Sequence, residues 1–262
     1  MNENPIGIFD SGVGGLTIYR EIHHLLPHEN IIYLADSKNA PYGEKTKEEI
    51  IELSIKNTEF LLKKNCKIIV VACNTASTNA VKTLRERYQN EFIRTQPGIK
   101  PAALNSKTKS VGILATQGTL KSDLLYETSQ RFAKGVEVTH QIGEGLVKLI
   151  ESDRMHSDEM TFLLNKYIRP MIKKNIDHLV LGCTHYPLLI PQLKKITGDR
   201  ITIVDTGEAI ARQTQNILTQ NNLLNNSNSV PKRYFYTNKN KAVLQHILNQ
   251  IDSDLTAEKI GF

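Results

Sequence analysis

Cysteine is scarce in this chain: three residues in 262, no two of them in a C-x-x-C spacing. Three thiols cannot all pair, so a disulfide-framed secreted module is excluded, and the spacing gives no zinc knuckle; no metal is expected. Long apolar runs are missing as well. Nothing approaches the roughly 18 residues of a membrane helix, and the N-terminus carries no secretory pattern. The expectation is a cytoplasmic protein with reduced thiols and no membrane partner. Basic residues exceed acidic ones, 33 to 27, for a formal charge of +6. They are scattered, however, in pairs such as Lys63-Lys64, Lys173-Lys174 and Lys232-Arg233. Without a basic stripe interleaved with aromatics, no nucleic-acid partner is expected.

What remains is an ordinary globular composition, 40% hydrophobic and 23% charged, in a chain long enough for one large or two modest domains. Short apolar strands alternate with segments of helical period. A strand at 5–9 leads into the glycine-rich turn Asp10-Ser11-Gly12-Val13-Gly14-Gly15, then a helix at 16–26. A strand at 31–35 is followed by a loop holding Pro41-Tyr42-Gly43. Thr46 with Glu49 forms a capping box opening a helix that runs to about 64. A strand ending at Cys73 and a helix at 77–88 complete a βαβαβα series, which predicts a parallel sheet with helices on its faces. Residues 90–109 read as an irregular crossover. The rhythm then restarts: a strand at 110–115, a turn at 116–119, a helix at 122–131, a strand at 136–139, helices at 145–151 and 157–174, and a strand ending at Cys183. A strand at 201–205, a helix at 207–220, a flexible polar loop at 221–229 and a strand at 234–237 close the chain, and this tail is expected to pack on the first half, since alone it has no core.

The two cysteines at strand ends echo each other. Ile68-Ile69-Val70-Val71-Ala72-Cys73-Asn74-Thr75 parallels His178-Leu179-Val180-Leu181-Gly182-Cys183-Thr184-His185, and Cys73 stands 67 residues after Ile6 while Cys183 stands 72 after Val111. Ligands of open α/β sheets bind at the carboxyl ends of strands. The prediction is an α/β fold of two pseudo-symmetric domains, 1–96 plus about 208–262 and 97–207, with parallel-type sheets and the active site in the cleft between them. A thiol on each side of a cleft suits two-sided proton transfer, which inverts a carbon centre. Cys66 lacks this context and reads as a small buried hydrophobe. The turn at 10–15 lacks the lysine of a phosphate loop and the dinucleotide glycine spacing; its amides suit either an anion or a plain helix cap. His185 is placed to accept the Cys183 proton or stabilise its thiolate.

Together Asp10-Ser11-Gly12-Val13-Gly14-Gly15, Ala35-Asp36-Ser37, Pro41-Tyr42-Gly43, Ala72-Cys73-Asn74-Thr75-Ala76-Ser77 and Leu181-Gly182-Cys183-Thr184-His185-Tyr186-Pro187 resemble the bacterial glutamate racemases of the aspartate/glutamate racemase superfamily. The resemblance spans residues 6 to about 207. It implies racemisation of glutamate with no cofactor, by two cysteines, supplying D-glutamate for peptidoglycan. It implies catalytic roles for Cys73 and Cys183, assisted by Asp10 and His185. It implies substrate contacts at Asp10, Ser11, Tyr42, Gly43, Asn74, Thr75, Thr184 and His185. Thr116 and Thr119, in the turn after the second half's opening strand, are further substrate-binding candidates. An acidic residue of the family site falls at Glu151, with Glu144 as the competing position. The chain departs from the family at 93–98, where a more apolar run is usual. Three alternatives stay open: a hydrolase with Cys183 as nucleophile and His185 as base, a racemase of another acidic amino acid such as aspartate, and a non-catalytic module binding small acidic ligands. A homodimer is compatible with the sequence.

Overall fold

In a computed structural model describing residues 2–227 and 229–262, the strands form two all-parallel sheets. The first half supplies β1 (Ile6–Asp10), β2 (Ile31–Ala35), β3 (Ile68–Val71) and β4 (Glu91–Arg94). The second supplies β5 (Ser110–Ala115), β6 (Glu137–Ile142), β7 (His178–Gly182) and β8 (Thr202–Val204). Two more strands, β9 (Arg233–Thr237) and β10 (Ala257–Lys259), come from the tail. The spatial orders are β10-β9-β2-β1-β3-β4 and β6-β5-β7-β8. Within each half the second strand, the first, the third and the fourth therefore lie side by side in the same order, and the sequence echo is a topological one. β1 to β3 are buried along their whole length, as expected for central parallel strands covered on both faces.

Helices α1 (Leu16–Leu25), α2 (Lys47–Lys63), α3 (Asn74–Asn79) and α4 (Val81–Arg87) flank the first sheet. Thr46 and Glu49 form the expected capping box on α2. The helix read at 77–88 begins earlier, at Asn74, and is interrupted at Ala80. Cys73 is thus the N-cap of α3, its sulfur accepting from the Ala76 amide at 3.5 Å.

The crossover at 90–109 is regular rather than irregular. It holds β4, which pairs with β3, and α5 (Ile99–Asn105). The strand forms because Phe92 and Ile93 bury their side chains, and Thr95 ends it with two 3.0 Å bonds to the Ser77 hydroxyl. The helix forms because Ile99, Ala102 and Ala103 pack against Val111 and Ile113 of the second sheet. The turn at 116–119 is a short helix, α6 (Gln117–Leu120), capped by Thr116. Next come α7 (Asp123–Phe132), α8 (Leu146–Ile150), α9 (Asp158–Lys173) and α10 (Ile190–Thr197).

The tail returns to the first sheet, as expected. α11 (Gly207–Gln220) packs on α1, and β9 pairs with β2. Past α12 (Ala242–Ile251), β10 adds an edge strand beyond the last one read from the sequence. The polar loop read at 221–229 is pinned rather than free at Asn225, whose amide donates to the buried Glu29 carboxylate at 2.8 Å; Asn228 lies outside the described residues.

Candidate active site

β1, β3 and β7 end at one place, and the residues just beyond them meet there. Ser11, Cys73, Asn74, Thr75, Cys183, Thr184 and His185 line a single small cavity together with Tyr42, Gly43 and Thr116. The cavity is about 10 Å³, room for about one water. It adjoins an outer hollow of about 560 Å³, with Pro41, Gly43, Thr116 and Val147 on the wall of both.

Three amides of the turn at 10–15 are already taken. Gly12 and Gly15 donate to Asp10 Oδ2 at 3.1 Å each, and Val13 donates to Glu151 Oε1 at 2.6 Å. Of the two readings left open, an anion or a plain helix cap, these three amides meet anions of the protein's own: Asp10 from the same turn, and Glu151 from the end of α8 in the other half. A Cβ at Gly12 would overlap the Glu151 carboxylate, and one at Gly14 would overlap the His185 ring. Glycine at both positions is what lets the halves approach so closely. Thr184 donates to Asp10 Oδ1 at 3.1 Å, and Thr75 meets Thr116 at 2.9 Å across the same seam. Thr119, also buried, lies 3.0 Å from the Thr116 hydroxyl.

The two thiols differ in their surroundings. Cys183 Sγ lies 3.8 Å from His185 Nδ1, and His185 Nε2 lies 2.7 Å from Glu151 Oε1. Burial alone would lower the His185 pKa, but its bonds to Cys183 and Glu151 outweigh burial and hold it well above the ordinary value. Burial alone would raise Glu151, yet the His185 bond and the Val13 amide keep it below the usual carboxylate range. The pair is an imidazolium and a carboxylate. The Gly14 amide also points at His185 Nε2, at 3.3 Å. A protonated Nε2 donates to Glu151 and cannot accept from Gly14, and the shorter, charge-assisted bond prevails. Glu144, the competing acid, is exposed and lines the outer hollow instead.

Cys73 has no such cation. Its sulfur lies 3.5 Å from the Ser11 hydroxyl, and burial, with the nearby Asp10 carboxylate, pushes its pKa up to about 12. Burial likewise raises Asp10, against the opposing pull of His185. In this state Cys73 is a neutral thiol, able to give a proton. Cys66 is buried away from the cavity, and burial raises it to about 12 as well.

Donors at the cavity remain unspent. Asn74 Nδ2 is buried with no partner. The Tyr42 and Gly43 amides have no acceptor among the described residues. The Tyr42 hydroxyl is different: it donates to Asp36 and accepts from Asn57 Nδ2 at 3.1 Å. Sequence reasoning missed Asn57. Its only signal is a polar residue on the core-facing side of α2, four positions before the buried Leu61. Among the described residues no group of three or more His, Cys, Asp or Glu is arranged to hold a metal.

A family model for Asp/Glu/hydantoin racemases matches residues 6–214. The chain belongs to that family. Glutamate racemase of Herpetosiphon aurantiacus is 46% identical over 225 residues, covering 86% of this chain and 89% of the relative. Among solved structures, a glutamate racemase of Bacillus anthracis superimposes with a TM-score of 0.88 at 30% identity, covering 100% of this chain and 99% of that one. Escherichia coli glutamate racemase, solved with L-glutamate and the activator UDP-MurNAc-Ala, gives 0.87 at 34% identity over 98% of each chain. This racemase, an isomerase, therefore shares both sequence and two-domain α/β architecture with glutamate racemases of the family.

Proposed function

We propose that this racemase interconverts L- and D-glutamate without a cofactor, by two cysteines acting on opposite faces of the α-carbon, and that in the cytoplasm it supplies D-glutamate for peptidoglycan. The observation that carries the reading is the pair of strand-end thiols on one cavity in opposite electrostatic settings. Cys183 lies beside the His185 ring, a cation held by Glu151; Cys73 lies beside Asp10 and is held as thiol. The Cys183 thiolate takes the α-proton of L-glutamate, and the Cys73 thiol delivers its own proton to the other face. Product D-glutamate leaves Cys183 protonated and Cys73 as thiolate, the arrangement that runs the reverse direction. The α-proton is a weak acid, so developing charge must meet fixed donors in a site closed to water. Asn74 Nδ2 suits the α-carboxylate side, and the paired Tyr42 and Gly43 amides suit the distal carboxylate. Thr75, Thr116, Thr119 and Thr184 supply hydroxyls around the substrate, and Ser11 lies against Cys73. A hydrolase built on Cys183 and His185 leaves Cys73 and its setting without a task.

The domain boundaries we favour, 1–96 with 208–262 and 97–207, draw support from α5 packing on the second sheet and α11 packing on α1. The test is circular dichroism of either glutamate enantiomer incubated with purified protein in heavy water. The signal should decay to zero with no added cofactor, and product should carry deuterium at the α-carbon. Activity that depends on added pyridoxal phosphate, or racemisation of aspartate in preference to glutamate, would refute the proposal.

A further inference from the structure

The Tyr42 and Gly43 amides can receive a carboxylate only if the loop that carries them is held still. Asp36, which follows β2, is the anchor of that loop and is buried. Its Oδ2 accepts the Tyr42 hydroxyl. Its Oδ1 accepts from Asn39 Nδ2 at 2.7 Å and from Asn238 Nδ2 at 2.5 Å. The other end of the Asn238 amide is used too, its Oδ1 accepting from the Lys38 amide at 2.9 Å. One side chain thus grips the loop at two points. Asp36 has no cationic partner among the described residues, so hydrogen-bond donors alone offset its burial, and each counts for more than a neutral bond would.

Asn39 and Tyr42 belong to the loop itself. Asn238 does not. It follows β9, in the tail beyond residue 214, where the family match ends. Because the Tyr42 hydroxyl is spent on Asp36, the tyrosine ring works as a strut, and the backbone it supports faces the cavity.

We infer that Asn238 is a positioning residue of the active site, supplied by the tail: by gripping Asp36 and the Lys38 amide it fixes Tyr42, and through Tyr42 the two amides that receive the distal carboxylate of the substrate. The inference rests on the glutamate reading above. It gives the tail a role in substrate recognition as well as in completing the sheet.

The test compares Asn238→Ala, Asn238→Asp and the double variant Asp36→Asn with Asn238→Asp. Losing a donor to a buried carboxylate should raise KM for glutamate about tenfold in Asn238→Ala, while kcat stays within about twofold, the split expected for lost substrate binding. Asn238→Asp sets two carboxylates face to face and should raise KM further. The double variant restores a donor–acceptor pair in reversed order and should recover much of the affinity. An unchanged KM in folded Asn238→Ala overturns the inference. So does a parallel fall in kcat and apparent affinity that the double variant fails to recover, since that marks a general folding defect. If the wild-type protein incorporates no α-deuterium from heavy water, it is the glutamate reading that fails. The crystal structure of Asn238→Ala then decides the positioning role: a Tyr42–Gly43 segment displaced from Cys73 supports it, and an unmoved one overturns it.

Discussion

The asymmetry between Cys73 and Cys183 is made by their neighbours, since both follow a buried strand and both line the same cavity. One neighbour is a cation and the other an anion, so single substitutions should separate the two faces. Cys73→Ser should abolish racemisation yet still eliminate a β-leaving group from an L-configured analogue; Cys183→Ser should prefer the D-configured analogue. If both variants choose the same enantiomer, the facial assignment is wrong. The ion pair behind Cys183 sets a pH window. His185 is raised above its unfolded value of about 6.5, so its stabilising contribution is complete below that pH and is lost as pH rises through the raised folded value. Glu151 is depressed below its unfolded value of about 4.3, so its contribution is complete above that pH and is lost as pH falls through the depressed folded value. Nitrogen NMR at pH 7 should find both ring nitrogens of His185 protonated; a neutral ring would remove the cation from beside Cys183. The cysteines, Asp10 and His185 were legible because each sits in a contiguous motif beside a strand. Glu151 was less so, because the bond that recruits it joins residues 138 apart, from Val13. Asn57 and Asn238 were illegible, since a lone amide bonded to a residue distant in the chain leaves no pattern in one sequence.

Among the elements, strand spacing carried the most information and connections the least. The repeated distance from opening strand to cysteine was visible because both halves use the same strand order. β4 and α5 were hidden because Pro97, Gly98 and Pro101 look like loop residues, while β4 is held by pairing with β3 and α5 by packing on the second sheet, neither of which shows in the local pattern. The tail's return to the first half was legible, but the anchor that holds it was not. Its attachment depends on Lys67, just before β3, whose ammonium donates to Glu29 Oε2 at 2.6 Å and to the Asn2 and Leu223 carbonyls at 2.9 and 2.7 Å. Both side chains of this ion pair are 2% exposed. Lys67→Met removes one partner and leaves a buried carboxylate, which should cost about 3 kcal/mol or more in urea unfolding. The turnover of the molecules that remain folded should be unchanged, because the pair lies at the opposite end of the strands from the cysteines. Lost turnover at full folding would mean that the tail's anchorage reaches the site by another route.

At the scale of the whole molecule, the halves are too close for catalysis to begin. A space of about 10 Å³ admits no glutamate, and the hollow outside it is separated from the thiols by Pro41, Gly43, Thr116 and Val147. Substrate entry therefore requires the halves to part, and the contacts across the seam include Thr75 to Thr116 at 2.9 Å, and Lys148 to Glu44 at 2.9 Å at the rim. The rim pair is exposed, with both side chains more than half accessible, so it contributes no more than about 1 kcal/mol and weakens with salt. The apolar cluster that joins Leu16 and Ile22 of α1 to Leu164 and Leu189 of the second half is continuous, and parting it would expose far more surface than the polar seam. Opening should thus pivot on the apolar cluster and separate the seam. Hydrogen exchange measures this directly. Amides at 42–45 and 116–121 should exchange well before those of β1 and β5, and saturating D-glutamate should slow the first set while leaving the strands unchanged. If the seam exchanges no faster than the central strands, the halves do not part on this line, and substrate must reach the thiols by some other path.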